Sequence, residues 1–364
     1  MSLDRIIISG GGTGGHIFPA IAIADELKKR NPNADILFIG AEGKMEMEKV
    51  PAAGYEIKGL KIVGFQRKLA LSNLLLPFKI LGSLMKARSI VKEFKPQVIV
   101  GVGGYASGPA LKAATLMRVP GVLQEQNSFP GKTNKILAKS VQKICVAYEG
   151  LDKFFPEEKI VMTGNPVRSE MVMIDGKKDQ GIKHYGLDPH RKTVLIIGGS
   201  LGAKTLNESV IGKLKEVNDS GIQLIWQCGK LYYPALENLE RELPGSIKMV
   251  QFIDRMDLAY AAADVVISRA GAISVSELCL IGKPVILVPS PNVAEDHQTK
   301  NAMALVNKNA AILVKDKEAR DVLITEAVSL LSDTEKCNEL CANIKSMAMP
   351  NATSEIVNTI ESII

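Results

Sequence analysis

Short runs of hydrophobic residues alternate with longer amphipathic stretches along the whole chain. The runs are rich in β-branched residues, which is typical of strands buried on both faces of a parallel sheet. In the first half of the chain they occupy residues 5–9, 36–39, 98–102, 121–124 and 143–147. The stretches between them, such as 17–30 and 85–94, have the period of amphipathic helices. This alternation predicts an α/β fold with a parallel sheet covered by helices.

The same pattern restarts in the second half, after a polar stretch rich in glycine and lysine. Its hydrophobic runs occupy residues 193–197, 224–227, 265–268, 285–288 and 311–314. Asn165 precedes Pro166 and is therefore disfavoured in a helix, so we place a domain boundary at this turn. The sequence predicts two Rossmann-like domains, over 1–164 and 165–345, and a C-terminal helix within 346–364 that its periodicity assigns to neither. Ligands of such domains bind beyond the carboxyl ends of the strands, and two facing edges would form a deep cleft.

Charge is distributed unevenly between the two halves. Residues 1–164 carry 23 Lys and Arg against 14 Asp and Glu, a net +9, and the remaining residues carry 22 against 25, a net −3, which together give the +6 of the chain. The basic half is expected to face an anionic partner: nucleic acid, a phosphorylated substrate or a membrane surface. The sequence has no RNA-binding or helix-turn-helix signature, so nucleic acid is not expected. Five cysteines without a C-x-x-C pair favour free thiols in a reducing cytoplasm.

Three glycine-rich loops, at 10–16, 101–109 and 198–203, each follow a predicted strand and precede a predicted helix. Glycine lets the backbone approach a ligand closely, and a helix N-terminus offers N–H groups to a phosphate. The alternative for each loop is a tight turn without a ligand. The Gly-Lys-Ser/Thr of a P-loop is absent, and so is an acidic ribose partner at the end of the second strand, where Glu42 lies just beyond the expected position. The loops favour a transferase whose donor and acceptor both carry a diphosphate.

Six segments, in order along the chain, resemble the MurG family of bacterial transferases, which convert lipid I to lipid II. They are Gly-Gly-Thr-Gly-Gly-His-Ile-Phe-Pro-Ala at 11–20, Gly-Gly-Tyr-Ala-Ser-Gly-Pro at 103–109, Glu-Gln-Asn at 125–127, Thr-Gly-Asn-Pro-Val-Arg at 163–168, Gly-Gly-Ser-Leu-Gly-Ala at 198–203 and Ser-Arg-Ala-Gly-Ala-Ile-Ser-Val-Ser-Glu at 268–277. The resemblance implies a GT-B fold with the acceptor on the N-terminal domain and the nucleotide sugar mainly on the C-terminal one.

It also implies a reaction: inverting transfer of GlcNAc from UDP-GlcNAc to the C4 hydroxyl of MurNAc in undecaprenyl-diphospho-MurNAc-pentapeptide, lipid I. No metal and no cofactor is expected, and the sequence contains no Asp-x-Asp motif of the kind that holds a metal on a sugar diphosphate. The alternatives within the fold are a glycolipid synthase and a UDP-GlcNAc epimerase. An NAD-dependent oxidoreductase and a non-catalytic scaffold are alternatives of other classes.

The resemblance implies contacts between the donor and twelve residues: Thr13, Gly14, Gly15, Asn127, Arg168, Ser200, Ile253, Ile273, Ser274, Glu277, Gln298 and Asn301. Arg168 and Ser200 would meet the diphosphate, since the guanidinium fork suits phosphate oxygens. Glu277 would accept the ribose hydroxyls, and Gln298 would hold the sugar. His297 stands where the family commonly has glutamine, so its contact with the sugar stays open.

On the acceptor side the resemblance implies four contact residues: Gly103, Gly104, Tyr105 and Asn134. Asn127 is a candidate for positioning the acceptor as well as the donor. The reaction also needs a base for the proton of the attacking hydroxyl. His16 lies at a predicted helix start, and the ordinary imidazole pKa of about 6.5 suits this task. Glu125 would serve if burial raised its pKa, so the sequence leaves the choice between these two open.

Residues 66–92 combine a leucine-rich run with six basic residues and no acidic one. An apolar surface edged by Lys and Arg suits an anionic leaflet. The predicted membrane patch consists of Leu74, Phe78, Lys79, Leu81 and Leu84. We therefore expect a peripheral protein on the cytoplasmic face of the inner membrane, with cell-wall synthesis proteins as candidate partners. The alternative is a helix whose leucines pack into the core and whose charges are only solvated.

Overall fold

The computed structural model describes residues 3–62 and 76–364, and the chain divides into two compact units. The first unit comprises Met1–Val167 together with Asn351–Ile364, and the second comprises Arg168–Pro350. Along the chain, the first unit ends at Val167 and the second begins at Arg168, whereas the sequence predicts the boundary after residue 164. The C-terminal helix, which the periodicity left unassigned, belongs to the first unit.

The first unit contains a sheet of seven described strands, all parallel, in the order β3-β2-β1-β4-β5-β6-β7. The strands are β1 (Arg5–Gly10), β2 (Asp35–Ala41), β3 (Glu56–Leu60), β4 (Val98–Gly103), β5 (Gly121–Glu125), β6 (Lys143–Val146) and β7 (Ile160–Met162). Five of them coincide with predicted hydrophobic runs. The sequence misses β3 and β7, which are the edge strands of the sheet and are only partly buried.

Within the described residues, six helices cover this sheet, numbered in chain order. They are α1 (Gly14–Arg30), α2 (Glu46–Ala52), α3 (Leu76–Phe94), α4 (Ser107–Leu116), α5 (Lys132–Leu137) and, at the C-terminus, α16 (Ala352–Glu361). Helix α16 buries Ile356, Val357 and Ile360 in the same core cluster as strand β1 and helix α1. Arg30 of α1 donates to the Asn358 side chain at 2.8 Å. This packing is why the last helix belongs with the first domain.

The second unit contains a parallel sheet of six described strands in the order β10-β9-β8-β11-β12-β13. The strands are β8 (Thr193–Ile197), β9 (Gln223–Gln227), β10 (Ile247–Val250), β11 (Val265–Ser268), β12 (Val285–Leu287) and β13 (Ile312–Leu313). The helices are α6 (Ser169–Val172), α7 (Lys178–Tyr185), α8 (Lys204–Ile211), α9 (Leu214–Asp219), α10 (Tyr233–Glu240), α11 (Met256–Ala262), α12 (Ala272–Ile281), α13 (His297–Val306), α14 (Ala319–Ser332) and α15 (Thr334–Ser346). Two short 3₁₀ helices, Glu157–Lys159 in the first unit and Ala294–Asp296 in the second, complete the described elements.

Both sheets are doubly wound, as the α/β prediction requires. In the first, β1 lies between β2 and β4; in the second, β8 lies between β9 and β11. The chain changes direction across the sheet at these two points, and a crevice opens there at the carboxyl ends of the strands. The loops after β1 and β4 therefore meet in the first unit, and those after β8 and β11 meet in the second. All three glycine-rich loops lie at these positions.

Candidate functional site

The first glycine-rich loop is held by a buried carboxylate. Glu46 of α2 is fully buried, and its Oε2 accepts from the N–H of Gly12 at 2.8 Å while its Oε1 accepts from the N–H of Ala41 at 3.0 Å. A side chain at Gly11 would overlap this carboxylate. The N–H of Gly12 lies in a loop predicted to bind a phosphate, but in the structure it is already hydrogen-bonded to Glu46. Sequence reasoning missed Glu46, because nothing near it in sequence marks its contact with a loop 34 residues away.

The second glycine-rich loop packs directly on the first. Gly103 and Gly104 both have positive φ, +95° and +85°, which a side chain would strain. A Cβ at Gly104 would overlap the backbone of Gly11, and a Cβ at Gly103 would lie 2.9 Å from the ring of His16. The two loops therefore form one continuous surface with His16 against it. Tyr105, the next residue, is 60% exposed and lies at the same sheet edge.

His16 lies in the first turn of α1 and is partly buried. Its Nδ1 is 2.9 Å from Oε1 of Gln126, a buried residue just after β5. The sequence does not single out Gln126, which is 110 residues from its partner. Strand β5 lies next to β4, which lies next to β1, so the structure brings three of the predicted segments to one edge.

Glu125, the other candidate base, is buried and saturated with hydrogen bonds. Its Oε1 accepts from the backbone N–H and the side-chain Nδ2 of Asn127, at 3.0 and 3.2 Å. Its Oε2 accepts from the N–H of Gly131 at 3.2 Å and from Nδ2 of Asn134 at 2.8 Å. A carboxylate has about four lone-pair directions, and these bonds use all of them. Asn134 is itself 3% exposed, so its side chain braces the loop rather than facing solvent.

In the second unit, the loop after β8 carries Ser200 and is clamped by the loop after β9. The carbonyl oxygen of Ser200 accepts from the N–H of Lys230 at 3.0 Å, and that of Gly199 accepts from Nε2 of Gln227 at 2.7 Å. Gly202 has a φ of +88°, and a side chain there would overlap the backbone of Cys228. The exposed loop around Ser200 is thereby fixed at the edge of the sheet, next to the N-terminus of α8.

A cavity of about 400 Å³ lies beside this loop. Two of the predicted donor residues line it: Ser274 in the first turn of α12, and Gln298 of α13, whose Oε1 accepts from the N–H of Ser290 at 2.8 Å. Arg269 and Asp316 also line the cavity, and sequence reasoning missed both. Their side chains pair at 2.5 Å, across 47 residues of sequence, so the cavity wall holds a fixed ion pair.

Glu277 lies one turn further along α12, where Tyr260 of α11 donates to its Oε2 at 3.3 Å. Desolvation raises the pKa of Glu277 to about 7, and the Tyr260 hydrogen bond and the charge of Arg168 oppose that rise. The carboxyl group therefore titrates near neutrality. Tyr260 is fully buried. It was not identified from the sequence as a site residue, because nothing in the sequence distinguishes it from an ordinary core residue.

The remaining predicted donor residues differ in their surroundings. Ile253, after β10, is 3% exposed, which leaves only its backbone to meet a ligand. Ile273 is partly buried at the start of α12, and His297 is partly exposed at the start of α13. Asn301 is completely buried and donates to the carbonyl of Ala270 at 3.3 Å, so it braces the turn before α12 and does not line the cavity. The other four lie in the first unit: Thr13, Gly14, Gly15 and Asn127.

The predicted membrane patch is described only in part. Leu74 lies outside the described residues, as do the side chains of Phe78 and Lys79. Leu81 is 53% exposed on α3, whereas Leu84 packs against the core. Ile80 and Met85, which the prediction did not include, are 54% and 62% exposed. Over residues 3–62 and 76–364, no helix combines the length and apolar character needed to cross a membrane, and no group of acidic, His or Cys side chains could hold a metal ion.

Comparison with known proteins links both units to one family of enzymes. Residues 6–146 match the glycosyltransferase family 28 N-terminal domain, and residues 193–356 match the family's C-terminal domain.

Full-length relatives share one name. A protein of Flavobacterium psychrophilum is 54% identical over 360 residues, which cover 99% of this chain and 98% of the relative. One of Christiangramia forsetii is 52% identical over 360 residues, with the same coverage. Both are named UDP-N-acetylglucosamine–N-acetylmuramyl-(pentapeptide) pyrophosphoryl-undecaprenol N-acetylglucosamine transferase. The crystal structure of Acinetobacter baumannii MurG is 30% identical and superposes with a TM-score of 0.80 over 99% of both chains.

Proposed function

Because the chain belongs to glycosyltransferase family 28, we propose that it transfers N-acetylglucosamine from UDP-GlcNAc to the muramyl sugar of undecaprenyl-diphospho-MurNAc-pentapeptide, converting lipid I to lipid II. The observation that carries this function is the identity of more than half of the residues, over the full length, with relatives named for that reaction. The chain is a UDP-GlcNAc-dependent glycosyltransferase of peptidoglycan synthesis. The same relatives favour this function over the glycolipid synthase and epimerase alternatives.

We assign the donor to the second unit. The clamped loop at Ser200 and the N-terminus of α12 at Ser274 offer hydroxyl and N–H donors to the diphosphate, as helix N-termini do for phosphates. Glu277 would accept the ribose hydroxyls, and Gln298 would meet the sugar from the cavity wall. Arg168 supplies positive charge close enough to Glu277 to lower the pKa of its carboxyl group. These groups would also stabilise the charge that develops on UDP as it leaves.

His16 is our choice for the base, since the two lone pairs of each Glu125 oxygen are already used by amide donors. In the proposed step, the C4 hydroxyl of MurNAc gives its proton to the His16 imidazole while its oxygen bonds to the anomeric carbon of GlcNAc. The bond from that carbon to the UDP oxygen breaks, and the configuration inverts. Glu125 would act by holding Asn127 and Asn134 in place beside the acceptor.

Membrane association is proposed for the exposed face of α3. Ile80, Leu81 and Met85 present apolar side chains there, with Arg88 close in sequence. Each basic residue near an anionic leaflet contributes about 1 kcal/mol of attraction. Such a face would bring the acceptor-binding unit to a lipid-linked substrate at the cytoplasmic side of the membrane. Other proteins of cell-wall synthesis remain candidate partners.

The direct test is transfer of radiolabel from UDP-GlcNAc to a lipid I analogue by the purified chain. The expected result is a labelled lipid product that forms only when the acceptor is present. Conversion of UDP-GlcNAc to another UDP-sugar without any acceptor would instead identify an epimerase and overturn the proposal. Label incorporated equally well into a simple glycolipid acceptor would support the glycolipid synthase alternative.

A further inference from the structure

We propose that Gln126 fixes His16 in the neutral tautomer that carries its proton on Nδ1, so that Nε2 is the atom that accepts the proton of the attacking hydroxyl. The inference rests on the proposed function of His16 as base. Gln126 is a positioning residue, because it contacts the imidazole and acts through it. Gln126 belongs to a set of buried amides whose hydrogen bonds determine one another's orientation.

The orientation of the Gln126 amide follows from its neighbours. Its Nε2 donates to the carbonyl oxygen of Val102 at 2.7 Å and also contacts the side-chain oxygen of Gln124. A carbonyl oxygen can only accept, so the NH₂ end of the amide must face Val102. The Oε1 end therefore faces His16. Rotating the amide by half a turn would set its oxygen against the carbonyl oxygen of Val102 and against the side-chain oxygen of Gln124.

The hydrogen bonds of the Gln124 amide support the same orientation of the Gln126 amide. Gln124 directs its oxygen towards Gln126, and its Nε2 donates to Oδ1 of Asn165 at 2.9 Å. The Nδ2 of Asn165 donates to the backbone carbonyl oxygen of Gln126 at 3.0 Å. All three side chains are at most 3% exposed, so water cannot readily replace a lost partner. Each amide therefore has one orientation that satisfies the others.

The state of the imidazole then follows. Because Oε1 of Gln126 carries no proton, the Nδ1 of His16 that lies 2.9 Å from it must be the donor. In a neutral imidazole the other ring nitrogen, Nε2, then holds the lone pair. Gly103 reinforces this placement, since any side chain there would lie 2.9 Å from the Cε1–Nδ1 edge of the ring. A neutral amide selects the tautomer without adding a negative charge beside the imidazole, unlike the aspartate of a serine protease triad.

The experiment is nitrogen-15 NMR of the full chain labelled at its four histidines, at a pH well above the ordinary imidazole pKa of about 6.5. His16→Ala identifies the His16 signals. The wild-type protein should show a protonated Nδ1 and an unprotonated Nε2. Gln126→Met keeps the side-chain length but removes the acceptor, and it should shift His16 towards the Nε2–H tautomer. In the transfer assay the same variant should lose at least about tenfold in kcat, part of the 10²–10⁴ that a general base supplies, with an unchanged KM for UDP-GlcNAc.

Gln142→Met is the matched control. Gln142 accepts from the N–H of Gly121 at 2.6 Å, at the opposite end of β5, so this variant also loses a glutamine hydrogen bond to the same strand. It should keep the Nδ1–H tautomer and a kcat within about twofold of wild type, because the lost bond lies at the end of β5 away from His16.

A wild-type His16 protonated on Nε2 would overturn the inference, as would a Gln126→Met variant that retains both the Nδ1–H tautomer and full kcat. The wild-type spectrum decides alone if Gln126→Met does not fold. An Nδ1–H tautomer in a protein that transfers no GlcNAc would retain the tautomer assignment and reject the proposed function. Transfer of GlcNAc by a protein with the Nε2–H tautomer would support the proposed function and reject the tautomer assignment.

Discussion

Affinity for UDP-GlcNAc should rise about tenfold between pH 6 and pH 8, because Glu277 must be ionised to accept the ribose hydroxyls. Desolvation raises the pKa of this carboxyl group to about 7. A group with that pKa is about one eleventh ionised at pH 6 and about ten elevenths ionised at pH 8. If only the ionised form binds ribose, the apparent Kd falls by the ratio of these fractions. Affinity for UDP-GlcNAc is therefore lost as pH falls through the pKa of Glu277, because the ionised carboxylate is the form that binds the ribose.

Calorimetric titration of the full chain with UDP-GlcNAc across this pH range measures the effect. Glu277→Gln cannot ionise, so it should bind weakly with an affinity that changes little with pH. Tyr260→Phe removes a hydrogen bond that lowers the pKa of Glu277, so the rise in affinity should move to higher pH. A constant wild-type Kd between pH 6 and pH 8, or an equal rise in Glu277→Gln, would refute the role given to this carboxylate.

Three further predictions concern the first unit. Glu46→Gln should lower the free energy of unfolding by about 1.5–3 kcal/mol, because its NH₂ would face a backbone N–H that now bonds to a carboxylate; an unchanged urea midpoint would contradict this. Gly103→Ala should reduce kcat more than the affinity for UDP-GlcNAc, because the new methyl group strains a φ of +95° and displaces the ring of His16; steady-state kinetics with a donor-binding titration would show the split. Leu81→Glu should weaken sedimentation with anionic vesicles, whereas Val322→Glu, at a residue 43% exposed in the second unit, should not; equal binding by both variants would exclude the α3 face.

Hydrophobic periodicity predicts the centre of each sheet and fails at most of its edges. The central strands are continuous hydrophobic runs because helices cover both their faces. The missed strands β3, β7 and β10 are edge strands, and β10 alternates buried residues with partly exposed ones such as Lys248. The placement of the last helix in the first unit depends on its packing against α1, which periodicity cannot show.

The candidate site was predictable where the chain bends sharply and less so where distant residues meet. Glycines at 103 and 104 stand out in sequence because only glycine tolerates the close approach of two loops. The partners that fix those loops do not stand out, since Glu46 and Gln126 are ordinary polar residues until the strand order brings them together. The donor contact that its motif implies for Asn301 stays a prediction, and the structure shows this side chain completely buried and bonded to the carbonyl of Ala270.

The most direct test of the mechanism is the rate of GlcNAc transfer to a lipid I analogue by His16→Ala at saturating UDP-GlcNAc. We expect a fall in kcat of about 10²–10⁴ with an unchanged Kd for the donor, since this variant loses the base and leaves the second unit intact. Transfer at the wild-type rate by His16→Ala would contradict it and return the role of base to another residue.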